Sequence, residues 1–394
     1  MENFELYTHQ KNFVKMYPEK LYMAWEVGCG KTIGALATAK HNGFKKILII
    51  APKSAHLSWI RDNIHFNFNL TLDIVTYEGF RDKVDDVSRY DLVVFDEAHR
   101  LSYIKTKWTR KALELRPYMK NILMLSGTPA DKFHKLYAQL KILTNGQDEV
   151  FKRFRSYRQF VDYFFELDEY NKPKKLKDKK YEEFFLSWFQ QYADIVRRDD
   201  VVELPPISFY DVRLEEERLE YETGENDLAN FIKWYKASAL TKQKIEYVIE
   251  FLKDNKDTVV FSLFRSFVKQ VKEKLGDKVY AITSETPRAL IEQAIVRQDK
   301  PIVSTYLLSE GANLQTAYRN VIFASLPLKY IEYEQAIGRV YRTGQRKKVI
   351  VYRLMQNDID HIVKSILEKK RDVVEYLKEI DDAKSVSNFT IELR

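Results

Sequence analysis

Short, mostly apolar runs recur along the chain. In the first half they are Ile47-Leu48-Ile49-Ile50, Leu72-Asp73-Ile74-Val75, Leu92-Val93-Val94-Phe95 and Ile122-Leu123-Met124-Leu125. In the second half they are Val259-Val260-Phe261, Val279-Tyr280-Ala281-Ile282, Ile302-Val303-Ser304, Val321-Ile322-Phe323 and Val349-Ile350-Val351-Tyr352. Runs of this length without strict alternation read as strands buried on both faces, as in parallel sheets. Amphipathic helical patterns, for example Phe267 to Leu275 and Ala289 to Val296, separate most of them. Strands alternating with helices predict an α/β protein of two tandem units, each a mainly parallel sheet flanked by helices.

The region between the units has a different pattern. Phe151, Phe154, Val161, Phe164 and Phe165 recur at helical spacing, and residues 181–196 repeat the pattern with Tyr181, Phe184, Phe185, Trp188, Phe189 and Tyr192. These stripes predict the packed faces of two helices rather than base-stacking platforms. The lysine-rich stretch Lys172 to Lys180 joins them. It reads as a solvated loop, the other reading being contact with a phosphate backbone. Leu204-Pro205-Pro206 breaks the helical pattern. The expected organisation is a first lobe over 1–145, a helical insertion and linker over 146–205, and a second lobe over 206–394.

The chain has 394 residues and a formal net charge of +8, compatible with a polyanionic partner without requiring one. Cys29 is the sole cysteine, which excludes intrachain disulfides and cysteine-based zinc sites. No basic start leads into an apolar run, and no apolar stretch is long enough to span a bilayer. The expectation is a cytoplasmic protein that acts as a monomer and does not engage a membrane.

Gly28-Cys29-Gly30-Lys31-Thr32 follows the apolar segment Leu21 to Trp25 and precedes a helical run, Ile33 to Lys40. Glycines let the backbone curl so that successive N–H groups face phosphate oxygens, and the following helix turns its positive end to the same anion. In this role Gly28, Cys29 and Gly30 cradle the phosphates, Lys31 reaches the β- and γ-phosphates, and the Thr32 hydroxyl ligates Mg2+. The longer form of the pattern places a glycine where Trp25 stands. Leu92 to Phe95 then leads into Asp96-Glu97-Ala98-His99, with two carboxylates at the carboxyl end of a strand, where such sheets bind ligands. Asp96 is assigned to Mg2+ and Glu97 to the attacking water, with a capped helix start as the alternative. His99 is placed to bridge to the neighbouring strand end. Together these residues predict ATP and Mg2+ as cofactors. Arg339 and Arg342, three apart, would share a face if helical, and their guanidinium groups suit charge developing on a γ-phosphoryl group.

With these motifs in order, the chain resembles the superfamily 2 helicases of the Swi/Snf type, in a compact viral or bacterial form. Tyr7-Thr8-His9-Gln10 resembles the glutamine motif, which implies that Gln10 reads the adenine edge. Ala51-Pro52-Lys53-Ser54 followed by Trp59, and Val75-Thr76-Tyr77-Glu78, are similar to motifs Ia and Ib. The resemblance puts Lys53, Ser54, Thr76 and Tyr77 on a nucleic-acid strand. Leu125-Ser126-Gly127-Thr128-Pro129 is similar to motif III, so Ser126 and Thr128 join His99 in coupling hydrolysis to nucleic-acid contact. Val260-Phe261-Ser262 resembles motif IV, and Ser304-Thr305 with Glu310-Gly311-Ala312-Asn313-Leu314 resembles motif V. Ser262, Ser304 and Thr305 are thereby assigned to nucleic acid and Gly311 to the nucleotide. Gln335-Ala336-Ile337-Gly338-Arg339-Val340-Tyr341-Arg342-Thr343-Gly344-Gln345 resembles motif VI, with Gln335 at the nucleotide and Arg339 and Arg342 catalytic. Two departures stand out. Ser309 and Glu310 replace the usual glycines of motif V, and Thr283-Ser284-Glu285-Thr286 replaces a glycine after the Val279 strand.

The resemblance implies two RecA-like lobes and an ATP-dependent DNA helicase or translocase. Its expected partner is duplex, forked or branched DNA in replication, recombination or repair. A translocase that tracks duplex DNA without separating strands, an RNA helicase, and a non-enzymatic nucleic-acid-binding scaffold are the alternatives. The Gly-Gln end of motif VI and the Leu204-Pro205-Pro206 passage favour the DNA reading over RNA.

Overall fold

The computed structural model describes residues 5–201, 203–216, 227–309, 313–365 and 367–368. The strands are β1 (Tyr22–Trp25), β2 (Lys46–Ile50), β3 (Thr71–Val75), β4 (Leu92–Asp96), β5 (Ile122–Leu125), β6 (Phe165–Leu167), β7 (Pro173–Leu176), β8 (Ala193–Val196), β9 (Ile207–Arg213), β10 (Thr258–Ser262), β11 (Tyr280–Ile282), β12 (Ile302–Thr305), β13 (Asn320–Phe323) and β14 (Val349–Met355). The helices of the first half are α1 (Thr8–Met16), α2 (Lys31–His41), α3 (His56–His65), α4 (Tyr77–Lys83), α5 (Lys107–Leu115), α6 (Leu136–Leu143), α7 (Glu149–Arg153), α8 (Tyr157–Phe164), α9 (Lys180–Tyr192) and α10 (Arg198–Val201). Those of the second half are α11 (Asp227–Ala239), α12 (Lys242–Asp254), α13 (Arg265–Leu275), α14 (Arg288–Arg297) and α15 (Tyr330–Ile337).

The chain divides after Val201 into two compact units, each a parallel sheet flanked by helices. The first holds a parallel sheet of order β3-β2-β4-β5-β1-β8. Its strands are apolar on both faces because each face packs on helices. On β2 and β4, Leu48, Ile50, Val93 and Phe95 enter one buried cluster, while Ile47, Ile49, Leu92 and Val94 enter the other. Every strand of a parallel sheet ends at the same edge, so the loops after β1, β2, β3, β4 and β5 are gathered there. The second unit repeats the plan with order β11-β12-β10-β13-β14-β9, all parallel.

Residues 146–201 differ from the separate insertion expected of them, since they lie within the first unit. Tyr22 of β1 pairs with Ala193 of β8, and Trp25 with Val196, so the segment completes the sheet. The end of the second aromatic stripe is therefore strand rather than helix. Both stripes are core: Phe151, Phe154, Phe160, Phe164, Phe185, Trp188 and Phe189 are buried in one cluster with Tyr22 and Tyr137. The lysine-rich stretch is not a plain loop. Its β7 pairs antiparallel with β6, setting Phe165 against Leu176 and Glu166 against Lys175. Lys175 meets Glu166 at 3.2 Å, and Lys180 meets Asp178 at 3.0 Å.

In the second unit, the Thr283–Thr286 segment turns without the usual glycine because the Thr286 hydroxyl accepts the Thr283 N–H at 2.9 Å. A buried ion pair links α12 to the turn after β14. Lys244 Nζ donates to both oxygens of Asp360 at 2.8 and 2.7 Å, and Asp360 also accepts the Gln356 and Asn357 N–H groups.

Candidate nucleotide site and nucleic-acid motifs

The loop after β1 has the backbone that an anion cradle needs. Gly28 and Gly30 sit at φ 96° and 75°, in the left-handed region that glycine adopts without steric cost. Gly30 caps α2, whose first residues are Lys31 and Thr32. The Lys31 ammonium folds back onto the carbonyls of Trp25 at 2.8 Å and Glu26 at 3.2 Å. The Cys29 thiol is buried, and burial pushes it up to about 11, so it stays neutral and unreactive.

Helix α1 clamps this loop through two consecutive side chains. His9 Nε2 donates to the Cys29 carbonyl at 2.8 Å, and Gln10 Nε2 donates to the Gly30 carbonyl at 3.0 Å. Gln10 Oε1 accepts the Tyr7 N–H at 2.9 Å, so both ends of its amide are engaged with backbone. Gln10, expected at the adenine edge, here holds the phosphate loop with its amide. A Cβ at Gly30 would come within 2.5 Å of Gln10 Nε2, which ties the identities of the two residues together.

The carboxylates stand on the same edge, at the end of β4, with β5 between it and β1. Asp96 ends β4, and its Oδ2 accepts the Trp59 indole N–H at 2.9 Å while Oδ1 accepts the Glu97 N–H at 3.0 Å. Glu97 is held at φ 54°, a left-handed conformation that costs a non-glycine residue about 1–2 kcal/mol. The Tyr77 hydroxyl donates to the Asp96 carbonyl at 2.8 Å. His99 Nδ1 lies 3.3 Å from Glu97 Oε2 and 3.1 Å from Ser126 Oγ, and Ser126 Oγ accepts the Thr128 N–H at 3.2 Å. The coupling residues thus form one chain from Glu97 to the loop after β5.

Burial, followed by the neighbouring Glu97 charge, raises the Asp96 carboxyl to about 6. A carboxyl held above its unfolded value binds a proton more tightly in the folded state. Its contribution to stability is present below about pH 4 and lost as pH rises through about 6. Asp96→Asn is accordingly expected to stabilise the unliganded protein at pH 7 by on the order of 2–3 kcal/mol while removing ATPase activity. Urea unfolding at pH 4 and pH 7 checks this, the gain being confined to the higher pH.

In the second unit, α15 stops at Ile337 with Gly338 as its cap, so Arg339 and Arg342 lie in the following turn and not on a shared helical face. Arg339 is buried, and Arg342 Nη1 donates to Asn313 Oδ1 at 2.6 Å. Gln335 is buried on α15. Gln345 fastens the turn, donating to the Tyr318 and Val340 carbonyls and accepting the Arg346 and Lys347 N–H groups, beside Gly344 at φ 95°. Gly311 lies outside the described residues.

The residues expected at nucleic acid fall into two groups. Lys53 and Ser54 are exposed, and Thr305 is half-buried. Thr76 caps α4, its hydroxyl accepting the Gly79 N–H. The side chains of Tyr77, Ser262 and Ser304 are buried and satisfied internally, Ser262 against Ser325 at 3.1 Å and Ser304 on the Thr305 carbonyl at 2.7 Å. They offer no side-chain surface to a strand. Trp59, read only as part of motif Ia, is buried against Asp96; no periodicity distinguishes an inward indole donor from an ordinary core tryptophan.

A family model described as helicase conserved C-terminal domain matches residues 243–344. An uncharacterized ATP-dependent helicase, YqhH of Bacillus subtilis, is 23% identical over 464 residues, covering 97% of this chain and 81% of that protein. The SWI/SNF-related matrix-associated actin-dependent regulator of chromatin subfamily A-like protein 1 homolog of Caenorhabditis elegans is 23% identical, covering 94% of this chain and 61% of that protein. The chain thus spans less than two thirds of the nematode relative. Among solved structures, the Sulfolobus solfataricus SWI2/SNF2 ATPase core in complex with dsDNA aligns with a TM-score of 0.46 and 18% identity over 98% of each chain.

Proposed function

We propose that the chain is a superfamily 2 helicase of the Swi/Snf type, an ATP-hydrolysing enzyme whose hydrolysis drives movement on DNA and remodels or unwinds forked or branched DNA. The observation that carries the reading is the chain of polar contacts from Glu97 through His99 to Ser126 and Thr128. A simple nucleotidase needs only a positioned water. A motor needs the hydrolytic carboxylate tied to an element that can move.

The geometry supports the following roles. Backbone N–H groups of the Gly28–Thr32 loop and the start of α2 hold the phosphates. Lys31, now on loop carbonyls, transfers its ammonium to the β- and γ-phosphates. The donor set fits Mg2+, because Asp96 is a buried carboxylate oriented by two donors and Thr32 offers a hydroxyl from the first turn of α2. When bound, Mg2+ would neutralise charge on the phosphate oxygens. Glu97 orients water and takes its proton, with His99 fixing the carboxylate. Arg339 and Arg342 carry guanidinium charge of the kind that suits a transferring phosphoryl group. Nucleic acid is held through phosphate contacts at the exposed Lys53 and Ser54, which carry no base information.

ATPase rates measured with single-stranded, duplex, forked and four-way-junction DNA, and with RNA, test the proposal. The expected order places forked and junction DNA highest. Stimulation by RNA alone, or by no nucleic acid, overturns it. Stimulation by plain duplex without displacement from any branched substrate leaves a translocase only.

A further inference from the structure

Two residues assigned by sequence to a nucleic-acid strand or its motif face inward, onto the hydrolytic turn. Trp59 and Tyr77 are each 1% exposed. Trp59 Nε1 donates to Asp96 Oδ2 at 2.9 Å. Tyr77 Oη lies 2.8 Å from the Asp96 carbonyl and 3.4 Å from that of Glu97. The two contacts are complementary. One fixes the carboxylate, the other the backbone that carries it into Glu97.

The topology explains why both reach the same place. Helix α3 connects β2 to β3, and α4 connects β3 to β4; β2 and β4 are neighbours in the sheet. Each helix therefore begins at the edge where β4 ends. Each also carries a second kind of residue close by in sequence. Lys53 and Ser54 lead into α3 and are exposed, and the half-buried Thr76 caps α4. Trp59 and Tyr77 each sit within the first turn or so of a helix, so a shift of the helix start on binding nucleic acid would carry the buried aromatic with it. The receiving turn is suited to respond, since Glu97 is held at φ 54°, a conformation its surroundings must impose.

We infer that Trp59 and Tyr77 are positioning residues that transmit nucleic-acid contact at the starts of α3 and α4 to the Asp96–Glu97 turn, and so set how strongly nucleic acid stimulates hydrolysis. This rests on the DNA-dependent activity proposed above. Neither residue touches nucleotide or nucleic acid. The path is two hydrogen bonds, one to a charged acceptor, and each is removable without emptying the core. Because coupling of binding is reciprocal, the same two bonds carry the effect of nucleotide on DNA affinity.

The test uses the full chain with Trp59→Phe, Tyr77→Phe and the double substitution. Tyr77→Phe removes one oxygen and keeps the ring, so it retains the fold even if the tryptophan change does not. The first readout is the ratio of turnover with saturating forked DNA to turnover without it. The ratio is expected to fall about tenfold in each variant, the equivalent of one hydrogen bond to a charged or buried group. KM for ATP is expected to stay within about twofold, the mark of an interaction made beyond substrate binding. The second readout is DNA affinity with and without a non-hydrolysable ATP analogue. The two values differ in the wild type and converge in the variants. Stimulated and basal turnover falling in equal proportion, or a ratio retained at the wild-type value, overturns the inference. A wild-type enzyme that no nucleic acid stimulates overturns the underlying activity instead, and is recognised before any variant is compared.

Discussion

Glu97→Gln is expected to lower ATP turnover by about two to four powers of ten, the range of a general base, with nucleotide binding nearly intact. Glutamine keeps the size of the side chain and its reach toward His99, so the turn is preserved. What it loses is the negative charge that orients water and the site that accepts its proton. Lys31→Ala differs in kind: it removes an ammonium that holds phosphates in ground and transition states alike, so binding and turnover fall together. Steady-state ATPase and fluorescent-nucleotide titration on the two variants separate these outcomes. Full turnover in Glu97→Gln would show that water is activated elsewhere. His99 alone could not replace it, because its Nδ1 is shared between Glu97 and Ser126.

Asp360→Ala is expected to destabilise the second unit by about 3–5 kcal/mol, the range for a buried charge left without its partner. Lys244 is 0% exposed and Asp360 2% exposed, so water cannot replace the lost carboxylate. Burial lowers the Lys244 pKa, and the Asp360 carboxylate opposes that shift. The alanine also abandons the Gln356 and Asn357 N–H groups that Asp360 satisfies. Replacing both partners, Lys244→Met with Asp360→Leu, removes the uncompensated charge and is expected to recover part of the loss. Recovery stays partial because those N–H groups remain unpaired. Denaturant unfolding followed by a probe in the second unit measures both. Because the chain has two units, a single global midpoint does not serve. An Asp360→Ala unfolding free energy within about 1 kcal/mol of wild type would mean that the pair is hydrated in solution.

Most strands that sequence reading located have two buried faces, the edge strands β3 and β11 being found because their runs are still mostly apolar. β2, β4, β5, β10 and β13 are short continuous apolar runs, because nothing on either face tolerates a charge. β8 and β9 were missed for the opposite reason. Both are edge strands. β8 carries Asp194 and continues directly from the amphipathic α9, so its four residues prolong a helical pattern. In β9, Ser208, Tyr210 and Asp211 interrupt the apolar positions. The same contrast holds for the site. The phosphate loop and the carboxylate pair are contiguous in sequence, and their chemistry needs those residue types in that order. Tyr77, Ser262 and Ser304 sit in motifs whose neighbours face outward, and a sequence motif does not record which way a side chain points. Arg339 and Arg342 were placed on a helix that Gly338 ends just before them.

The position of β8 has a consequence for how the enzyme is made. β1, which carries the phosphate loop, pairs only with β5 and β8, and the Tyr22–Ala193 pairing joins the two ends of the first unit. On a ribosome, chain emerges from the amino end, and β2, β3 and β4 can pair while synthesis continues. The loop-bearing strand must wait unpaired on one side until residue 196 is clear of the exit tunnel. A nascent chain stopped after β5 would then display an unfinished sheet border beside the loop-bearing strand.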